Sequence, residues 1–232
     1  GQVGVVGSLS LPEEVRGGLR MVAAVPVGDY VLPRLCGAFM RRHPGVRVEL
    51  RIMPSHEVME GVRNMALDVG FVGAPVNSSY LEAEPWLRDR LVVCAAPGHP
   101  LAGRATVPLA ELADQPWALE KTLSSERISF TVEALKSLNS LNIVFVGDSV
   151  EAIKRIVGDG AVLACLSSLT VADEIGRGEL VELAVPELRF TRIVSLVSRR
   201  DTEQPHACRA FRDFARQMGE ELVDQENHLS VS

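Results

Sequence analysis

The chain has 232 residues and a formal net charge of −6, and its hydrophobic and charged fractions, 47% and 23%, are those of ordinary globular proteins. Its acidity argues against DNA binding by this chain alone, since free-standing nucleic-acid binders are normally basic. No apolar run approaches the roughly 18 residues that span a bilayer, and the N-terminus lacks the pattern of a signal peptide. We therefore expect a cytoplasmic protein with one large domain or two small ones.

The four cysteines, Cys36, Cys94, Cys165 and Cys208, form no CxxC pair, and each lies in an apolar helix or strand. A redox sensor needs an accessible thiol of low pKa and a resolving partner, and the sequence indicates neither. We expect reduced, buried core thiols.

The first regular segment alternates strands and helices. Leu19–Ala24 is apolar apart from Arg20, as expected of a strand covered on both faces. The loop Val25–Gly28 follows, and the apolar spacing then predicts one helix from Asp29, as N-cap, to Arg42. Val46–Ile52 alternates apolar and charged residues, which is typical of a half-buried strand.

The rest of the first half predicts a helix capped by Ser55 and a short buried strand at Val69–Val72. Residues 76–90 are expected to be irregular, and Leu91–Ala95 to be another buried strand. The turn residues Pro97–Pro100 then indicate a crossover into a second unit.

The second half repeats this order of elements. Asp148 and Glu151 form a predicted capping box, with Asp148 as the cap. The expected elements are a short helix at Pro108–Ala113, a strand at Trp117–Leu119, a helix at Glu126–Leu138, a strand at Ile143–Val146, a helix after Asp148, a strand at Ala161–Leu166, a helix after Ser168, strands at Leu180–Val185 and Arg192–Val197, and a helix at Pro205–Met218.

The repeated order predicts an α/β fold with two lobes, a cleft between them and two crossovers. Lobe I comprises residues 18–96 and 192–218, and lobe II comprises residues 97–191. Since the sequence begins with Gly1 rather than Met, we expect a fragment of a longer protein, with residues 1–17 a leader or linker remnant and 219–232 a flexible tail. The cleft is the natural ligand site.

Several stretches of this sequence resemble the effector-binding domain of LysR-type transcriptional regulators, over about Leu19 to Met218. They are LPRLCGAFMRRHPGVRVELR, LDVGFVGAP, LVVCAAPGHPLAGRATVPLAELADQPW and GDSVEAIKRIVGDGAVLACLSS. The resemblance implies the α/β fold of type 2 periplasmic binding proteins, with two Rossmann-like lobes, a cleft and two crossover strands, and a small-molecule effector. It also implies which residues line the cleft: Val25, Pro26, Val27, Gly28, Gly73, Ala74, Thr122, Ser124, Ser125, Asp148, Ser149, Leu166 and Ser167.

The first loop departs from the family pattern. Many relatives carry Ser or Thr there, whereas this chain has Pro26, which has no N–H to donate. Lobe I thus offers backbone groups of Val27 and Gly28 but no hydroxyl, which favours a partly apolar, carboxylate-bearing effector. Arg127 is either a counter-charge for that carboxylate or a solvated arginine in the first turn of its helix.

The resemblance also implies partners. In the family, a winged helix-turn-helix precedes this domain and binds DNA, and the domains form antiparallel homodimers (tetramers when full-length). We expect exposed apolar residues on the pairing helices, with Tyr30, Leu35 or Phe130 as candidates. Alternatively, each of these residues packs in the core of its own lobe. DNA contact is expected only through the missing N-terminal domain.

Two other classes of function fit the sequence less well. A solute-binding protein of a transport system would have the same fold, but the missing signal peptide argues against it. An enzyme would need a catalytic or cofactor motif, and the sequence has no HExxH, GxSxG, Walker A or GxGxxG pattern. We therefore expect no catalysis, no cofactor and no metal.

Overall fold

The structure is a computed structural model, and it describes residues 14–120, 141–188 and 190–229, with side chains described as far as residue 221. The strands are β1 Arg16–Ala23, β2 Gly45–Ile52, β3 Val69–Val72, β4 Leu81–Ala95, β5 Pro116–Glu120, β6 Asn142–Gly147, β7 Ala164–Ser167, β8 Val181–Leu183 and β9 Thr191–Arg199. The helices are α1 Val27–Tyr30, α2 Leu32–Arg42, α3 Ser55–Arg63, α4 Leu109–Leu112, α5 Val150–Gly158, α6 Ser168–Gly176 and α7 His206–Leu229.

The larger sheet has the order β2-β1-β3-β9-β4-β7, with β8 also paired to β4. Strand β1 runs parallel to β2 and β3, whereas β9 is antiparallel to β3 and β4. A second sheet contains the parallel pair β5-β6, and one parallel bridge from Trp117 to Leu163 joins it to the chain just before β7. The structure confirms the predicted α/β class.

Strand β4 passes through both halves of the molecule. Leu81–Arg90 pairs with β9, and Leu91–Cys94 pairs with β7. The prediction of irregular structure over residues 76–90 is therefore wrong for most of that range. The segment contains Pro85 and alternating charges, and it pairs with β9 through a register shift between Pro85 and Leu87, which sequence periodicity does not reveal.

Hydrophobic residues cover both faces of the sheet, which is the usual arrangement of parallel strands. In the first half, Phe39 of α2 and Phe211 of α7 meet edge to face, with ring centroids 5.2 Å apart, over the β1-β3 side. In the second half, Ile153 of α5 belongs to the cluster on one face, and Trp117 and Leu112 belong to the cluster on the other. All four cysteines are free and buried, as predicted.

The structure corrects several element boundaries. The single helix expected from Asp29 to Arg42 is two helices, and the N-cap position of the first is Pro26 rather than Asp29. Pro54, not Ser55, precedes α3. The last helix continues past Met218 to Leu229, since the chain beyond Met218 holds good helix formers and no proline. The helix expected at Glu126–Leu138 lies outside the described residues.

Candidate functional site

The loop after β1 is compact and apolar. Pro26, Val27 and Gly28 are buried, and a side chain at Gly28 would collide with Ile52. The N–H of Gly28 donates to the carbonyl of Ala24 at 3.1 Å. The expectation that Gly28 offers a backbone donor to a ligand is therefore wrong, because the loop itself uses that group.

Gly73 and Ala74 follow β3, as predicted, and both are half-buried. The guanidinium of Arg192 lies across this strand end: a Cβ at Gly73 would be 3.0 Å from its central carbon. A side chain at this position would require the Arg192 guanidinium to shift by a few tenths of an ångström.

Ser167 lies at the end of β7 and is the N-cap of α6. Its hydroxyl accepts from the N–H of Leu169 at 3.2 Å and donates to Oδ1 of Asp89 at 2.7 Å. The neighbouring Leu166 turns its side chain into a hydrophobic cluster with Ile153. Of these two predicted residues, Ser167 presents a polar group and Leu166 is a core residue.

Asp89 on β4 and Arg192 on β9 are the residues that the sequence analysis missed. Asp89 is only 1% exposed, and it accepts from Nε of Arg192 at 3.2 Å and from the hydroxyl of Ser168 at 3.4 Å, as well as from Ser167. We call these four residues the crossover cluster. They lie where β4 and β9 pass between the two halves of the molecule, and they connect the predicted site residues Gly73 and Ser167.

The predicted residues Asp148 and Ser149 are exposed and precede α5. Ser149 caps this helix by accepting from the N–H of Ala152 at 3.3 Å, so the predicted cap at Asp148 is wrong. Aspartate and serine are both good caps, and only the backbone geometry decides between neighbours.

A second polar cluster joins α1 to α5 and α6. The hydroxyl of Tyr30 donates to Glu151 at 2.5 Å, and the ammonium of Lys154 contacts Glu151 at 2.9 Å and Glu174 at 2.8 Å. The same ammonium lies 4.8 Å from the centroid of the Tyr30 ring, within cation–π distance. We call these four residues the Tyr30 cluster. It connects the helix after the first predicted loop to the helix after Ser149.

The Tyr30 cluster alters two pKa values. Burial, and next the hydrogen bond to Glu151, raises the pKa of Tyr30 well above its ordinary range, so the phenol is a donor at neutral pH. Burial acts to raise the pKa of Glu151, but the Tyr30 hydroxyl and Lys154 outweigh it and hold that pKa below its ordinary value. The pair is therefore a phenol donating to a carboxylate.

The structure thus brings some predicted residues together and not others. Gly73 and Ser167 meet through the crossover cluster, and the Val25–Gly28 loop lies next to the Tyr30 cluster. Thr122, Ser124 and Ser125 lie outside the described residues. Within the described part of the chain, no group of three His, Cys, Asp or Glu side chains is placed to hold a metal ion, and no helix is long and apolar enough to cross a membrane.

The sequence matches a family model described as the LysR substrate binding domain over residues 12–220. The HTH-type transcriptional regulator YeiE of Escherichia coli strain K12 is 34% identical over 201 residues, which cover 87% of this chain and 68% of that protein. The RuBisCO operon transcriptional regulator of Allochromatium vinosum is 30% identical over 205 residues, covering 88% of this chain and 68% of that protein.

Among solved structures, the CcmR regulatory domain of Synechocystis PCC6803 in complex with 2-PG superposes with a TM-score of 0.75 at 25% sequence identity. The match covers 88% of this chain and 98% of that domain. The cofactor-binding domain of the Cbl transcriptional regulator has the same fold, with a TM-score of 0.75 at 21% identity, covering 93% of this chain and 95% of that domain.

Proposed function

The chain belongs to the LysR substrate-binding domain family, and we propose that it senses a small effector held in the cleft between its two lobes. The predicted family and fold are confirmed: this is an effector-binding domain with the fold of type 2 periplasmic binding proteins. The family is one of transcriptional regulators, and transport as a function has no support from the comparisons. We further propose that the chain acts in the cytoplasm without catalysing a reaction.

The position that we propose for the cleft is based on the crossover cluster. It holds Gly73 of the first lobe and Ser167 of the second around the buried pair Asp89–Arg192. We place the division between the lobes at Arg90–Leu91, where β4 changes partner from β9 to β7. Ligands of open α/β sheets bind beyond the ends of strands, which is where these residues lie.

The proposed effector is small, carboxylate-bearing and partly apolar. The buried, apolar Val25–Gly28 loop, whose Gly28 N–H is already bonded, supports an apolar contact on the side of lobe I. The carboxylate would bind among the hydroxyls proposed in lobe II. The CcmR domain, similar to this chain, was solved with the small molecule 2-PG, which also supports a small-molecule ligand.

A thermal-shift screen of small carboxylates tests the cleft. At least one should raise the melting temperature of the wild-type chain, because a ligand that binds only the folded state stabilises it. Ala74→Trp should abolish the shift by filling the cleft beside Gly73. Ala83→Trp, on an exposed position of β4 in lobe I, is the matched control and should keep it. An unchanged shift in Ala74→Trp would rule out this position for the cleft.

We also propose that the domain forms a homodimer. Strand β6 exposes three apolar side chains, Ile143 (41% exposed), Val144 (57%) and Val146 (53%), and Met40 is exposed on α2. Such residues support an interface that pairs α2 with lobe II of a second copy. The prediction that Leu35 is exposed for pairing is wrong, because Leu35 is 4% exposed and packs in the core of its own lobe. Tyr30 contacts Glu151 of the same chain, and Phe130 lies outside the described residues.

Light scattering after size-exclusion chromatography tests the dimer. The wild-type chain should elute as a dimer, and Val146→Glu should be monomeric because a buried, unpaired carboxylate is costly at an interface. Ile193→Glu, at an exposed apolar position on β9, should remain dimeric. A wild-type monomer would contradict the proposal.

DNA binding is proposed to belong to another part of the regulator. Both sequence relatives described above are transcriptional regulators, and this chain matches 68% of the length of each. The net charge of −6 supports a division in which this domain senses and a basic domain binds DNA. A gel-shift assay with this chain alone should show no DNA retention at physiological salt, and retention would contradict that division.

A further inference from the structure

A cavity of about 270 Å³, open to solvent on the side of Thr106 and Glu182, lies at the point where the chain passes between the lobes. Its walls include Arg90 and Leu91 of β4, Cys165 of β7, Leu183 of β8, and Phe190 just before β9. Among the described residues, none of those proposed for the effector cleft lines this cavity. The cavity is therefore distinct from the described part of the proposed cleft.

The cavity contacts both strands that cross between the lobes. Arg90 follows Asp89 of the crossover cluster, and Phe190 lies two residues before Arg192. The N–H of Leu91 donates to the carbonyl of Phe190 at 3.0 Å, so the two crossing segments are bonded to each other at the cavity wall. A molecule in this cavity would touch the backbone on both sides of that hydrogen bond.

The charges around the cavity compensate each other. Arg90 and Glu182 form a two-point ion pair, with distances of 2.5 Å for Nη1–Oε1 and 3.0 Å for Nη2–Oε2. Burial raises the pKa of the Cys165 thiol to about 12, so the thiol is neutral at physiological pH. Much of the remaining wall is apolar, including Leu188 and Val185. Such a wall favours a neutral ligand, because a charged one would lose part of its hydration while Arg90 and Glu182 already neutralise each other.

The volume limits the size of the ligand. By volume alone, a cavity of about 150 Å³ can accept benzene, so this solvent-open cavity of about 270 Å³ has room for two fused rings. We propose that this cavity is a second ligand site, which takes a compact, neutral, apolar molecule of one or two rings. The proposal goes beyond the effector cleft and does not depend on it.

Indole is a suitable probe, titrated into the isotope-labelled chain and followed by NMR. We expect saturable shifts at the amides of Val93, Leu183 and Phe190, with a Kd below about 1 mM. The Leu91 amide should exchange more slowly with solvent when indole is bound, since it is bonded at the cavity wall. Indole-3-carboxylate has the same rings and a negative charge, and it should bind at least tenfold more weakly.

A matched pair of variants locates the binding. Thr106 is exposed and lines the cavity, so Thr106→Trp should block it and weaken indole binding at least tenfold. Ala105→Trp, at the exposed neighbouring position outside the lining, should leave the affinity unchanged. Because both positions are exposed, both variants should fold.

Four results would overturn the proposal. They are the absence of saturable shifts with indole, shifts centred on Gly73 and Ser167 instead of the cavity, equal affinity in Thr106→Trp, and equal or tighter binding of the carboxylate. The second result would assign indole to the effector cleft and so distinguishes the two sites.

Discussion

At the scale of single residues, the buried pair Asp89–Arg192 is the polar contact on which the crossover cluster depends. Asp89→Ala would remove the carboxylate that Nε of Arg192 contacts at 3.2 Å, at a guanidinium only 18% exposed. Removing one partner of a buried ion pair costs about 3 kcal/mol of unfolding free energy. Glu179→Ala breaks an exposed pair with Arg177 and should change stability far less, since solvent screens exposed ion pairs. Urea denaturation measures both, and equal losses would contradict the structural role of Asp89.

Tyr30 gives a residue-scale prediction with a defined pH dependence. Tyr30→Phe removes the donor to Glu151 but keeps the ring near Lys154, and it should cost about 1 kcal/mol at pH 7. The folded-state pKa of Glu151 is lowered, so its stabilisation is complete above the unfolded pKa of about 4.3 and is lost as the pH falls through the folded-state value.

The difference in stability between wild type and Tyr30→Phe should therefore shrink in acid. Thermal unfolding from pH 7 down to about pH 3 measures this difference across the titration of Glu151. Tyr80→Phe, at an exposed tyrosine elsewhere in lobe I, is the control and should show no such trend. A difference that stays constant over this range would show that the hydrogen bond to the carboxylate contributes nothing.

At the scale of the element, helix α5 tests which residue is the cap. Ser149→Ala removes the hydroxyl that accepts from Ala152 and should lower stability by about 1 kcal/mol. Asp148→Ala should change stability by less than about half of that. Melting temperatures of the two variants measure the effect, and the reverse order would restore the capping box expected from the sequence.

In helix α7, the helix propensity of Gly219 and its contact with Trp86 predict opposite effects of a substitution by alanine. Glycine to alanine within a helix normally stabilises by about 1 kcal/mol. At Gly219, however, a Cβ would lie 2.7 Å from Nε1 of Trp86, whose N–H donates to the Ala215 carbonyl at 2.6 Å. Gly219→Ala should therefore destabilise by about 1 kcal/mol or more.

Gly176, at the end of α6, is the matched control for that substitution. A Cβ there would meet nothing within 4 Å, so Gly176→Ala should be neutral or stabilising. Denaturant unfolding of the two variants gives the sign of each change. A stabilising Gly219→Ala would mean that Trp86 moves away at little cost.

At the scale of the whole molecule, the two lobes are held together by side chains far apart in the sequence. Tyr30 and Glu151 are 121 residues apart, and Asp89 and Ser167 are 78 residues apart. These contacts join α1 to α5 and β4 to the end of β7. Because both clusters span the two lobes, a movement of one lobe relative to the other would change their contacts. The two clusters are therefore the contacts that would couple ligand binding to the arrangement of the lobes.

The sequence by itself determined the α/β class, the family, and most helices and strands. Local periodicity carries that information, as in the apolar Val69–Val72 strand and the alternating β2. It also predicted four free, buried cysteines, because each lies in an apolar segment.

Only the tertiary structure decided how β4 crosses between the lobes and which polar groups meet there. Asp89 lies in a charged stretch whose sequence pattern predicts an exposed residue. It can be buried because Ser167 and Arg192, on strands distant in sequence, donate hydrogen bonds to its carboxylate. Likewise, the N–H of Gly28 is not available to a ligand because it donates to the carbonyl of Ala24 within the same loop. Hydrogen-bond partners distant in sequence are set by strand pairing and packing, which local patterns do not encode.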